Sequence, residues 1–87
     1  MRTLQERLTV SGYITDGAGR YEKFWAVTGT TIRVTLYPDG TARVSGFDCQ
    51  MSWRWSIEIV AQVDDALIIR LLDAWGSVSA AAKPPPL

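Results

Sequence analysis

The sequence predicts an α+β fold, an antiparallel β-meander of about five strands with one C-terminal helix packed on it. Apolar and polar residues alternate at period two through most of residues 8 to 63, and Gly- and Pro-containing turn segments divide that stretch. A pattern that fits period 3.6 appears only after Asp64. An all-β small barrel or sandwich, with residues 66–72 as a last strand, is the alternative.

Leu8, Val10, Gly12 and Ile14 alternate with Thr9, Ser11 and Tyr13, which predicts a first strand at about 8–15 after a polar start. Asp16-Gly17-Ala18-Gly19 supplies turn chemistry, and a second strand is expected at about 21–28. Beyond Thr28-Gly29-Thr30, Ile32, Val34 and Leu36 oppose Arg33, Thr35 and Tyr37, the pattern of a half-buried strand. Pro38-Asp39-Gly40 then closes a hairpin, because Pro presets φ at the first central turn position and Gly accepts the positive φ of a bulged loop. Thr41 to Phe47 is the return strand. From Gln50 to Val63 the odd positions Met51, Trp53, Trp55, Ile57, Ile59, Ala61 and Val63 are all apolar, so a long fifth strand is expected.

The stretch from Asp64 to Trp75 fits two periods. As a helix it has Asp64 as N-cap, Asp65 at the positive dipole end, and a stripe of Leu67, Ile68, Leu71, Leu72 and Trp75 that stops at Gly76. Only Ile69 falls outside the stripe, and the helix is the preferred reading. As a strand, Leu67, Ile69 and Leu71 would share a face with Val63, Ala61 and Ile59.

Eighty-seven residues make one domain, expected over 1–77, and folding would bury about 63 % of the extended chain's surface. Residues 78–87, with three consecutive prolines, read as a flexible Ala/Pro-rich tail. No apolar leader and no run of about 20 apolar residues is found, so a soluble, cytoplasmic protein is expected.

Nine basic residues balance nine acidic ones. Residues 1–54 hold seven basic against five acidic side chains, and residues 55–87 two against four, a weak polarity. The charge balance therefore announces neither a nucleic acid nor an anionic membrane.

The chemistry available is sparse. Without His there is no Ser-His or Cys-His pair, and the single Cys49 forms neither an internal disulfide nor a zinc site of four Cys or of two Cys and two His. Cys49 follows Asp48, whose charge would oppose a thiolate, so it is read as a small buried hydrophobe. Asp64-Asp65 is better explained by helix capping than by paired-carboxylate catalysis. Gly12, Gly17 and Gly19 match no phosphate-binding spacing. The expectation is a protein that is not an enzyme and takes no cofactor or metal.

Two features remain. In Trp53-Arg54-Trp55, strand alternation puts both indoles on one face, and burial in the core and an exposed aromatic platform both satisfy that pattern. On the face opposite the core, Arg33, Tyr37, Arg43, Phe47 and Arg54 share one parity, which interleaves basic and aromatic groups.

These five residues are the candidate binding site. The leading expectation is a small regulator or inhibitor that docks this face onto a partner protein. Single-stranded nucleic acid is the alternative partner, because charge meets phosphates and rings meet bases. An oligomeric structural component, with a homodimer as one form, is the second alternative. Seven Arg against two Lys, with no Asn, suggest a GC-rich coding sequence, a hint of a mobile-element (phage or plasmid) or bacterial source that identifies no host or target.

Tyr21 to Val34 resembles the opening strands of WGR domains, but the Trp-Gly-Arg signature is absent, so no family membership follows. The expected meander-then-helix order is similar in topology to single-strand-binding transcriptional coactivators, without a motif of that family, and fold does not fix function.

Overall fold

The computed structural model describes residues 3–60 and 65–78. Its elements are α1 (Leu4–Val10), β1 (Ile14–Thr15), β2 (Arg20–Trp25), β3 (Thr30–Leu36), β4 (Thr41–Phe47), β5 (Trp53–Val60) and α2 (Asp65–Gly76). The strands form one antiparallel sheet in the order β1-β2-β3-β4-β5, a meander that stays open. The α+β reading therefore holds, and the barrel or sandwich alternative does not.

The strand expected at 8–15 is corrected. Residues 4–10 are helical, and only Ile14 and Thr15 pair in the sheet. Thr3 caps the helix, its hydroxyl accepting the Glu6 N–H at 3.2 Å, as the Thr-x-x-Glu spacing allows. Leu4 and Leu8, one turn apart, are both buried. Gly12 has φ 94°, a left-handed value that ends the helix, and the Tyr13 N–H returns to the Leu8 carbonyl at 3.0 Å. The alternation seen from Leu8 onward is the overlap of a helical face with its C-terminal turn.

The middle of the chain follows its sequence signals, except that β2 ends at Trp25 rather than near 28, where residues 26–29 turn, and β5 begins at Trp53 rather than Gln50. Asp16 anchors the β1–β2 turn by accepting the Ala18 N–H at 2.8 Å and pairing with Arg20 at 2.8 Å. The Pro38-Asp39-Gly40 hairpin sets Leu36 opposite Ala42, and Asp39 accepts from both the N–H and the hydroxyl of Thr41. Ile32, Val34, Ala42 and Val44 are fully buried and line the inner face. They pack with Leu4 and Leu8 of α1 and with Ile68, Leu72 and Trp75 of α2 in one core.

The helical reading of α2 also holds, with two adjustments. Asp64 lies outside the described residues, and the buried stripe is Ile68, Leu72 and Trp75, with Ile69 and Leu71 half-buried at its flanks. Leu67, expected inside the stripe, is exposed, while Ile69 packs against the core. The Trp75 ring meets Trp55 edge-on, centroids 5.7 Å apart. Thr28 in the β2–β3 loop donates its hydroxyl to the Gly76 carbonyl at 2.8 Å, which ties the end of α2 to the sheet. The tail expected at 78–87 falls, apart from Val78, outside the described residues.

Candidate docking face of the sheet

Both helices contribute to the core beneath one face of the sheet, and the other face is built from residues of opposite parity. The strand register arranges these outward residues in three cross-strand rows. Phe24, Thr31, Phe47 and Trp53 form one; Ile14, Glu22, Arg33, Ser45 and Ser56 the next; Arg20, Thr35, Arg43 and Glu58 the third.

The first row reverses an expectation. Trp55 pairs with Gly46 and faces the core, yet Trp53 pairs with Phe47 on the outer face. Arg54 is the extra residue of a bulge between them, and one inserted residue inverts the alternation on one side of it. Trp55 is therefore buried, whereas Trp53 is 61 % exposed and donates its indole N–H to the Ser56 hydroxyl at 2.8 Å. Period-two counting places the two indoles together, and the bulge places them on opposite faces.

Phe24 is 58 % exposed at the other end of the row. Four adjacent strands about 4.8 Å apart give the row a length of roughly 14 Å. Thr31, between Phe24 and Phe47 in the register, is buried although it faces outward. The Arg33 guanidinium lies 4.7 Å from the Phe47 ring centroid and donates to Glu22 at 2.8 Å.

In the third row Arg43 donates to Glu58 at 2.7 Å. That hydrogen bond, with Tyr37 next in importance, holds the Arg43 guanidinium more firmly protonated than usual. Basic and acidic groups thus alternate on the face as pairs, leaving little net charge.

Of the five residues singled out from the sequence, Arg33 and Phe47 touch each other on this face. Arg43 stands one row beyond, with Tyr37 exposed just past the end of β3 and within electrostatic reach of Arg43. Arg54 is different: as the bulge residue it has no partner in the β4–β5 register, and its ion pair is with Asp48, 3.9 Å away.

Phe24, Met51 and Ile14 are outward residues that sequence reasoning misses, and Trp53 is one that it leaves open between core and surface. Met51 sits in the β4–β5 loop at φ 61°, a left-handed conformation uncommon for a side chain of its size. The loop is held by Asp48, which accepts the N–H groups of Gln50 at 3.0 Å and Ser52 at 2.9 Å. Met51 there helps line an open depression with Ile14, Glu22, Phe24 and Thr31. Cys49, in the same loop, is exposed and not the buried hydrophobe expected, because the turn around Asp48 carries it away from the core.

Among the described residues no group of three or more His, Cys, Asp or Glu converges on a metal-sized space, and no helix is long and apolar enough to cross a membrane. Comparison of the chain with family models, with curated proteins and with solved structures finds no match.

Proposed function

We propose that this chain is a small non-catalytic binding module that acts as a regulator or inhibitor by docking the outer sheet face onto a partner protein. The observation that carries this reading is the outward row in which exposed Phe24 and Trp53 flank half-buried Phe47, beside the Arg33–Glu22 pair. Rigid aromatic rings next to an arginine are the composition of protein-interface anchors. The rings stand on strands rather than loops, so little side-chain and backbone freedom is lost on docking. The arginine-rich, Asn-free composition fits a GC-rich coding sequence such as a phage, plasmid or bacterium carries.

Single-stranded nucleic acid would use the same rings. Against that partner, Arg33 and Arg43 each already donate to a carboxylate, which reduces the charge free to meet phosphates. The neutral, aromatic character of the face favours a protein.

The test is comparative affinity capture with four proteins: the wild type, Phe24→Ala/Trp53→Ala, Arg33→Glu/Arg43→Glu, and a control substituted at Gln5, an exposed residue of α1. A partner lost by both face variants and kept by the Gln5 control supports the reading. Capture that survives both sets of face substitutions, or salt-sensitive oligonucleotide binding lost with Arg33 and Arg43, overturns it.

A further inference from the structure

We infer that the free edge of β5 pairs with the β5 of a second copy of this chain, antiparallel about a two-fold axis normal to the sheet. The two edges of the sheet differ sharply. β1 offers two residues, too few to template another strand, whereas β5 offers eight and is paired on one side only among the described residues. β5 contains no Pro or Gly to blunt that edge, and its bulge lies at one end, leaving Trp55–Val60 in regular register.

The choice of occupant rests on charge. β5 has two charged residues, Arg54 and Glu58, of opposite sign and four positions apart. An antiparallel pairing centred on Ser56 sets Arg54 of each copy opposite Glu58 of the other, so that Glu58, which already accepts from Arg43 at 2.7 Å, and Arg54, 3.9 Å from Asp48, each gain a second partner of opposite charge. The same register sets Trp55 opposite Ile57 of the second copy. Those side chains belong to the inner face, where Ile57 and Ile59 are only half-buried at the margin of the core. Centring on Glu58 instead would oppose two carboxylates. A shift by one residue would place inner residues against outer ones, so both charge and face select the Ser56-centred register.

The resulting ten-stranded sheet carries the helices of both copies on one side and both aromatic rows on the other. It is separate from the docking reading, since it uses the edge of β5 and leaves the Phe24–Trp53 row open.

Sedimentation equilibrium over a concentration series tests it. The wild type is expected to show a reversible monomer–dimer equilibrium. Arg54→Glu alone and Glu58→Arg alone should each raise the dimer Kd roughly tenfold, because two attractive contacts become repulsive. An equimolar mixture of the two variants should recover dimers near wild-type affinity, since each supplies the charge the other has lost.

Both side chains are substantially exposed, 44 % for Arg54 and 69 % for Glu58, so the substitutions leave the core untouched. Amide exchange of residues 55–57 in the wild type gives a second readout without mutation and should slow as concentration rises. A wild type that stays monomeric to millimolar concentration, a dimer indifferent to both reversals, a mixture that fails to recover, or a dimer with concentration-independent exchange at 55–57 would each overturn the inference.

Discussion

The Trp55 indole occupies the space that a side chain at position 46 would need. A Cβ placed on Gly46 would come within 2.3 Å of the ring, and Trp55 is itself held edge-on by the buried Trp75. Gly46 is thus the floor on which the inward Trp of β5 lies.

Gly46→Ala should therefore destabilise the fold, although Ala is the better strand residue on propensity alone. Overpacking of this kind costs about 1–3 kcal/mol. Urea unfolding should show a lower midpoint with an unchanged m-value, and an unaltered midpoint would mean that the indole has room to move.

The bulge at Arg54 predicts unequal tryptophans. Trp53 is the accessible indole on the outer face, whereas Trp55 and Trp75 are buried. Acrylamide quenching should lose most of its steep component in Trp53→Phe. The stability of Trp53→Ala should stay within about 0.5 kcal/mol of wild type, while Trp75→Ala should cost about 3–5 kcal/mol. Equal quenching in wild type and Trp53→Phe would place Trp53 in the core and remove the bulge.

What the sequence reveals depends on the kind of signal each residue carries. The β3–β4 hairpin is legible because Pro38-Asp39-Gly40 states its turn chemistry locally and Ile32, Val34 and Leu36 state their face by alternation. The arginines and Phe47 of the outer face follow from the same parity. The placing of Trp53 apart from Trp55 does not, because a bulge moves every residue on one side of it to the opposite face and leaves no local mark in composition.

Phe24 lies next to Trp25 in a strand where either could face inward. The Trp25–Tyr13 contact decides, and it joins segments that sequence periodicity does not connect. At the N-terminus the missed signal is present: Thr3 and Glu6 have capping-box spacing, and Leu4 and Leu8 lie one turn apart.

That cap yields a prediction of its own. Thr3→Ala removes the acceptor of the Glu6 N–H and should cost about 1 kcal/mol, with faster amide exchange in residues 5–8 than in the sheet. Thr3→Asp should recover most of the loss, as an aspartate at this position also accepts the N–H and favours the positive end of the helix. If Thr3→Ala unfolds at the wild-type midpoint, α1 is held by Leu4 and Leu8 alone.

The last prediction concerns Tyr13, whose buried hydroxyl has no hydrogen-bond partner among the described residues. Burial first, and the Asp73 carboxylate second, push its ionisation well above the ordinary phenol range near 10. Below about pH 10 the folded and unfolded chains both keep this proton, and Tyr13 leaves stability independent of pH. Above it the unfolded chain releases a proton that the folded chain retains, so stability should fall with rising pH by up to about 1.4 kcal/mol per unit. Tyr13→Phe keeps the edge-on contact with Trp25 and removes the unpartnered hydroxyl. The variant should be at least as stable as wild type at pH 7 and should lose less stability between pH 9 and 11. Urea unfolding of both proteins across that range isolates Tyr13, because the other alkaline groups are common to the two chains. Parallel curves would show that the phenol ionises as readily in the fold as in the unfolded chain, and a variant weaker than wild type at pH 7 would show that the hydroxyl is bonded after all.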